Sequence, residues 1–122
     1  MIDRDHAFDV RVAVEIMGWG DSDGLLPPVY TKPNGKEANY FEIPEFSSNA
    51  SADVTVLREV RENWEDKDME DFHFAVTRIW QRRWQENHLE NIFNWAFMYE
   101  PGDYSRAAIT VLDENRAHTK NT

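Results

Sequence analysis

The densest apolar run in the first half of the chain extends from Val10 to Trp19 and shows two periodicities. Alternating apolar residues between Phe8 and Ile16 are typical of a half-buried strand. The other pattern has three- and four-residue spacing, which is typical of one face of a helix, and consists of Ala7, Val10, Val14 and Met17. Asp3 and Asp5 before the run and Gly18 after it favour a helix, while the β-branched residues leave a strand open.

Residues 19 to 46 contain Gly, Pro, Asn and Asp every few positions, which excludes a long regular element. Asn34-Gly35 is a sequence that closes tight turns, and it predicts a hairpin between residues 29–31 and 40–43. The aromatic and leucine content of this stretch favours a packed loop.

A helix is predicted from about residue 49 to 64, preceded by Ser47 or Ser48 as N-cap. Its apolar positions follow helical spacing and are Val54, Leu57, Val60 or Arg61, and Trp64.

Residues 72 to 80 alternate aromatic and β-branched residues, which favours a strand. A helix over 70–84 remains open, because Phe72, Val76, Ile79 and Arg83 also share a helical face. Residues 93 to 99 form a second candidate strand, and the two would pair antiparallel.

The last predicted element is a helix over about 104–116, with Asp103 or Ser105 as its cap and a narrow apolar stripe. The stripe consists of Ala107, Ala108, Val111 and Leu112. The whole pattern predicts an α+β fold in the order α, loop or hairpin, α, β, β, α. We expect one domain over residues 1–118 and a frayed tail over 119–122.

Composition narrows the class of protein. A hydrophobic fraction of 41% over 122 residues is enough for a buried core. The sequence has no cysteine, no apolar stretch of membrane-spanning length and no secretory leader, so we expect a soluble protein of the cytoplasm. A net charge of −10 opposes non-specific binding to nucleic acid.

Half of that net charge lies between Glu59 and Asp71, where seven acidic residues stand against two basic ones. Residues 65 to 71 are predicted to be a solvated connector. The acidic residues that we consider candidates for binding a partner are Glu62, Glu65, Asp66, Asp68, Glu70 and Asp71.

The one cationic cluster consists of Arg78, Arg82 and Arg83, interleaved with Trp80 and Trp84. Arginine beside aromatic residues is suited to holding a phosphate or stacking on a base. These five residues are therefore candidates for binding a nucleotide-like ligand. The alternative is that the arginines pair with the neighbouring acidic residues and serve the structure alone.

No catalytic or metal-binding pattern emerges from the sequence. The four histidines are scattered, without the spacing of metal ligands. The sequence Asp21-Ser22-Asp23-Gly24 begins like a calcium-binding loop, but Lys32 stands where such a loop requires Glu. We therefore expect no metal, no cofactor and no enzymatic activity.

The chain resembles the phage ABA sandwich domain, a family of phage and prophage proteins of unknown function. The resemblance rests on Val14-Glu15-Ile16-Met17-Gly18-Trp19, on Leu26-Pro27-Pro28, on the Phe46-Ser47-Ser48 segment before a helix, and on a closing Ala-rich helix. Residues 29–45 and 81–91 are longer than the family pattern. The resemblance implies helices packed around a small antiparallel sheet in an α/β/α sandwich, a first segment that is helical and ends at Gly18, and a phage or prophage origin.

Two functional hypotheses follow. In the first, the protein is a phage accessory protein that binds a protein partner without catalysis. In the second, it binds or sequesters a nucleotide-like small molecule through the Arg and Trp cluster.

Overall fold

The computed structural model of the protein describes residues 5–21, 28–86 and 98–120. This part of the chain contains four α-helices and a two-stranded antiparallel sheet, which confirms the predicted α+β class. The helices are α1 (His6–Glu15), α2 (Ala50–Asn63), α3 (Asp66–Glu86) and α4 (Asp103–Lys120). The strands are β1 (Val29–Thr31) and β2 (Glu37–Asn39). Among the described residues, no helix has both the length and the apolar content needed to cross a membrane.

The first apolar run begins as a helix, as its flanking residues and the family resemblance both predict, but α1 ends at Glu15, three residues before Gly18. The Asp5 side chain caps α1 by accepting a hydrogen bond from the Phe8 N–H at 3.0 Å. After the helix, Gly18 adopts a φ of +80°, and the Trp19 N–H donates to the Ala13 carbonyl at 3.0 Å. Glycine enters this left-handed region without a steric cost, so the chain leaves the helix axis here.

The predicted hairpin is present, but its second strand lies earlier than expected. Tyr30 pairs with Ala38, and the connection is closed by Gly35 at a φ of +86°. Residues 40–42 form a 3-10 helix instead of a strand, since the Asn39 side chain accepts hydrogen bonds from the N–H groups of Phe41 and Glu42. This capping arrangement ends the strand.

Helix α2 has nearly its predicted bounds, but its N-cap is Asn49, which accepts from the Ala52 N–H at 3.1 Å. Its buried positions are Asp53, Val56 and Val60, whereas Val54 of the predicted apolar face is 40% exposed. Ser47 has a different role. Its backbone N–H donates to the buried Asp9 carboxylate at 2.7 Å, and its hydroxyl accepts from the Asp5 N–H at 2.9 Å. Ser47 therefore attaches the segment before α2 to α1.

The strand predicted over residues 72–80 is wrong, because this segment belongs to the 21-residue helix α3. Phe72, Ala75 and Val76 are buried, whereas Phe74 is 53% exposed. The helical period therefore decides the structure, and tertiary burial overrides the β-propensity of the aromatic residues. The connector prediction fails for residues 66–71, which form the start of α3, where acidic side chains are favoured by the helix dipole. Most of the second candidate strand, 93–97, lies outside the described residues.

Helix α4 forms the centre of the packing. Ala107 and Ala108 are fully buried, and both α2 and α3 pack on this helix. The small side chains of Ala107 and Ala108 permit close approach of neighbouring backbones. Arg11 of α1 forms a bidentate hydrogen-bonded pair with Asp113 on the same helix. The helix extends to Lys120, beyond its predicted end and two residues into the predicted tail.

We expect Gly102→Ala to destabilise the protein by more than about 2 kcal/mol, because two penalties add. Gly102 has a φ of +97°, and a Cβ at this position would lie 2.6 Å from the Ser47 carbonyl oxygen. Gly35→Ala is the matched control, since Gly35 has a φ of +86° but open space around it. It should cost only about 1 kcal/mol. Urea denaturation measures both, and equal losses would contradict the steric contribution.

Candidate functional site

An open groove separates α2 from α3. Both helices pack on α4, whereas they pack only sparsely on each other, and this leaves a cavity of 440 Å³ between them. We call it the α2–α3 groove. Its lining is mainly apolar and consists of Leu57, Val60, Arg61, Met69, Phe72, His73, Val76, Thr77, Trp80 and Tyr104.

A row of aromatic rings forms much of the groove. Phe72 contacts Trp64 on one side, with ring centroids 6.2 Å apart, and Tyr104 on the other, at 6.3 Å. Tyr104 also contacts Trp80 at 6.2 Å and stacks on Tyr99 at 5.1 Å. Rings in mutual edge and stacked contact lose little conformational freedom when a ligand binds, so the row is a preorganised apolar surface.

The buried carboxylate of Asp103, the first residue of α4, fixes one end of this row. It is fully buried and accepts hydrogen bonds from the Trp80 indole N–H at 2.9 Å and from the Arg83 guanidinium at 2.7 and 2.9 Å. Arg106 and the Glu100 backbone N–H also donate to it, at 2.9 and 2.8 Å. Trp80 is thereby held with its ring toward the groove.

A second buried carboxylate, Asp53 of α2, caps the start of α4 from a neighbouring helix. It accepts from the backbone N–H groups of Tyr104 at 3.2 Å and Ser105 at 2.8 Å, and from the Ser105 hydroxyl at 2.6 Å. The Tyr99 hydroxyl donates to it at 2.8 Å. The first N–H groups of a helix have no acceptor within the helix, and an N-cap side chain next to them in sequence usually binds them. In α4, Asp53 of another helix takes this role. The sequence prediction of Asp103 or Ser105 as the cap missed this.

The titration behaviour of these groups follows from their partners. Burial alone would raise the pKa of Asp103, but the hydrogen bonds from Arg83, Glu100, Arg106 and Trp80 outweigh it and hold this pKa below its ordinary value of 3.8. Burial and the hydrogen bond to Asp53 raise the pKa of Tyr99. Asp103 is therefore an anion and Tyr99 a neutral donor at neutral pH.

The structure divides the predicted Arg and Trp cluster. Arg83 and Trp80 are joined through Asp103, on the side of α3 that carries the groove. Arg78 and Arg82 are exposed and line a separate depression of 260 Å³, which also contains the Glu114 carboxylate. Arg78 lies 3.7 Å from that carboxylate, in a pair exposed to solvent on both sides. Trp84 is half-buried near the end of α3.

The acidic candidates are spread over one end of the groove. Glu62 is the penultimate residue of α2 and is exposed, as are Glu65, Asp66 and Glu70 around the α2–α3 turn. Asp68 and Asp71 are half-buried, and Asp68 accepts a hydrogen bond from Asn115 at 3.2 Å. Asp66 and Glu70 share a helix face with the groove residues His73 and Thr77, because their spacing is three to four residues.

Sequence reasoning did not identify Asp53 or Asp103 as buried anions. Their partners are distant in the chain: Arg83 precedes Asp103 by 20 residues, and Ser105 follows Asp53 by 52. The only local signal for Asp53 was an acidic residue on the apolar side of α2, one turn before Leu57.

The groove has few polar groups. Besides the Trp80 indole and the Tyr104 hydroxyl, its polar side chains are Arg61, His73 and Thr77, and the Thr77 hydroxyl donates to the His73 carbonyl at 2.9 Å. In the part of the chain that the structure describes, no three acidic or histidine side chains converge on a point that would suit a metal ion. Comparison with known proteins found no matching family, no matching curated protein and no matching solved structure.

We expect Asp103→Asn to cost about 3–5 kcal/mol at pH 7, because it removes the buried anion to which Arg83 and Arg106 both donate and leaves Arg83 only the half-exposed Glu100 carboxylate as a counter-charge. Since the pKa of Asp103 is lower in the folded state, its stabilisation is complete above the ordinary value of 3.8 and is lost as the pH falls through the folded-state value. The difference in the free energy of unfolding between the wild type and Asp103→Asn should therefore become smaller as the pH falls below 3.8.

Urea denaturation of the wild type and of Asp103→Asn, from neutral pH to well below 3.8, measures this pH dependence of stability. Asp113→Asn is the control, since the side chain of Asp113 is 50% exposed and that of its partner Arg11 is 35% exposed. Its cost should remain within about 1 kcal/mol. A difference for Asp103→Asn that stays constant from neutral pH to well below 3.8 would contradict the assignment.

Proposed function

We propose that the protein acts by binding a protein partner in the α2–α3 groove, without catalysis. The observation that carries the proposal is an open apolar groove whose aromatic row is held in place by two buried carboxylates. Aromatic side chains in preformed apolar pockets contribute most strongly to protein–protein affinity. The groove lies between two helices, and an apolar groove of this kind accepts the apolar face of a helix.

The charge around the groove specifies the partner further. Glu65, Asp66 and Glu70 are exposed at the end where α2 turns into α3, and the protein carries a net charge of −10. A segment with apolar side chains at helical spacing and Lys or Arg at its flanks would match both features. Charge complementarity of this kind raises the association rate and selects against acidic segments.

The groove supports a catalytic role less well than it supports binding of a partner. The two buried carboxylates lie beneath the aromatic row, and the hydrogen-bond donors already described occupy their oxygens. General acid–base catalysis requires such a group within reach of a substrate proton. His73 is exposed at the groove wall with no carboxylate among the lining residues to orient it.

The resemblance to the phage ABA sandwich domain supports a phage or prophage accessory protein acting in the cytoplasm of a bacterial host. The Met17-Gly18-Trp19 corner that carries the resemblance forms a helix end with a left-handed glycine. A partner encoded by the phage or by its host is compatible with this proposal.

The nucleotide-binding alternative has weaker geometric support. Only Arg78 and Arg82 line the same depression, and the Glu114 carboxylate within it would repel a phosphate. Arg83 is already bound by Asp103 and lies 3.4 Å from Glu100.

The test uses two synthetic helical peptides with the same leucine face, one flanked by lysines and the other by glutamates. We expect the lysine peptide to bind, measured by calorimetry, and the glutamate peptide to bind at least about tenfold more weakly at low salt. Thr77→Arg, which fills the groove wall, should abolish binding of the lysine peptide.

Thr110→Arg is the matched control. Thr110 is an exposed helical threonine whose hydroxyl donates to the carbonyl four residues earlier at 2.8 Å, as Thr77 does at 2.9 Å, but it lies outside the groove. Binding that survives Thr77→Arg, or no binding by the lysine peptide, would overturn the proposal. Thermal stabilisation by nucleotides that Arg82→Ala removes would favour the alternative instead.

A further inference from the structure

The solvent-facing side of α3 carries a stripe of residues that do not line the α2–α3 groove, although one of them, Glu70, belongs to the acidic end of that groove. Its members recur at intervals of three or four residues, so that they share one helix face. We call this stripe the outer face; it consists of Lys67, Glu70, Asp71, Phe74, Arg78, Gln81, Arg82 and Gln85.

An exposed aromatic residue lies near the middle of the outer face. Phe74 is 53% exposed, although its neighbours Phe72 and Val76 are buried in the core. Phe74 also borders a shallow depression of 520 Å³ that is lined in part by Asp71, Thr77 and Arg78. A large exposed apolar side chain beside a concavity is typical of a contact surface.

Charge on the outer face changes sign along the helix. Before Phe74, Glu70 and Asp71 outnumber the single cation Lys67, and after it lie Arg78 and Arg82. Glu70 and Arg82 are 12 residues apart, which corresponds to about 18 Å of helix. A face with one acidic and one basic half is complementary to a copy of itself that runs in the opposite direction.

We propose that the outer face of α3 binds the outer face of a second copy of this chain, with the two helices antiparallel. A two-fold axis midway between Phe74 and Arg78 brings Glu70 of each copy opposite Arg82 of the other. The same axis places each Phe74 opposite the Arg78 of the other copy, where the guanidinium can lie over the ring. An isologous contact of this kind forms a closed dimer.

The antiparallel direction is favoured over the parallel one, because a parallel pairing brings like charges together. In a parallel pairing, Glu70 would lie beside Glu70 and Arg82 beside Arg82. The Arg78–Glu114 pair does not compete strongly, since its atoms are 3.7 Å apart and both side chains are more than half exposed. With one apolar anchor per copy and a charge of −10 on each, the dimer should be weak. Glu70 also lies at the acidic end of the groove, whereas Phe74 and Arg82 do not line the groove, so Phe74→Ala and Arg82→Glu test the dimer separately from partner binding.

The experiment is sedimentation equilibrium of the whole chain at micromolar to millimolar concentration. Wild type should dimerise, and Glu70→Arg and Arg82→Glu should each weaken the dimer by at least about tenfold, because each places two like-charged pairs in the contact. An equimolar mixture of the two variants should dimerise about as well as wild type. In the mixed dimer, positions 70 and 82 of opposite copies again carry opposite charges at both ends of the contact. Phe74→Ala should weaken the dimer without unfolding the protein.

Glu62→Arg and Arg58→Glu are matched controls on α2, with the same changes in charge at exposed positions. Neither should alter the dimer by more than about twofold. A monomeric wild type, a dimer that is indifferent to Glu70→Arg and Arg82→Glu, or a mixture of these two variants that fails to recover would each overturn the proposal.

Discussion

The start of α4 is the place on which the rest of the structure depends, because two buried carboxylates meet its first turn from different directions. Asp53 of α2 accepts hydrogen bonds from the first N–H groups of α4. Asp103, within the first turn of α4, accepts hydrogen bonds from Arg83 and Trp80 of α3. Three helices are therefore joined by hydrogen bonds to charged acceptors, which are stronger than neutral ones and costly to leave unpaired. The apolar core specifies that these helices pack, and the two carboxylates specify where.

This arrangement explains why α2 and α3 leave a groove between them. Helix α2 is attached to α4 through Asp53, and α3 is attached to it through Arg83. Each of the two helices buries its main apolar stripe against α4 and not against the other. The groove between them is closed at the bottom by Tyr104, whose backbone is bound by Asp53. The same long helix α3 thus presents one side to the groove and another, the outer face, to solvent.

Sequence patterns were sufficient for elements whose signals are local. Asp5 and Gly18 bounded α1, the apolar spacing around Leu57 located α2, and the Ala107-Ala108 pair marked α4. The strand prediction for 72–80 failed because Phe74 alternates with Phe72 and Val76 in sequence, whereas its side chain belongs to the solvent face of a helix. The groove and the buried carboxylates were beyond sequence reasoning, since Arg83 and Asp103, or Asp53 and Ser105, meet only after the helices have packed.

Ser47 has a consequence for the order in which the protein folds. Its N–H and hydroxyl bind Asp9 and Asp5 across separations of 38 and 42 residues, and its carbonyl lies against Gly102 near the other end of the chain. Helices form within microseconds from local contacts, but these distant contacts must wait until long stretches of chain have been brought together. The contact between Arg11 of α1 and Asp113 of α4 spans 102 residues, against 52 for Asp53 and Ser105, so we expect α1 to dock after α2 and α4 have packed.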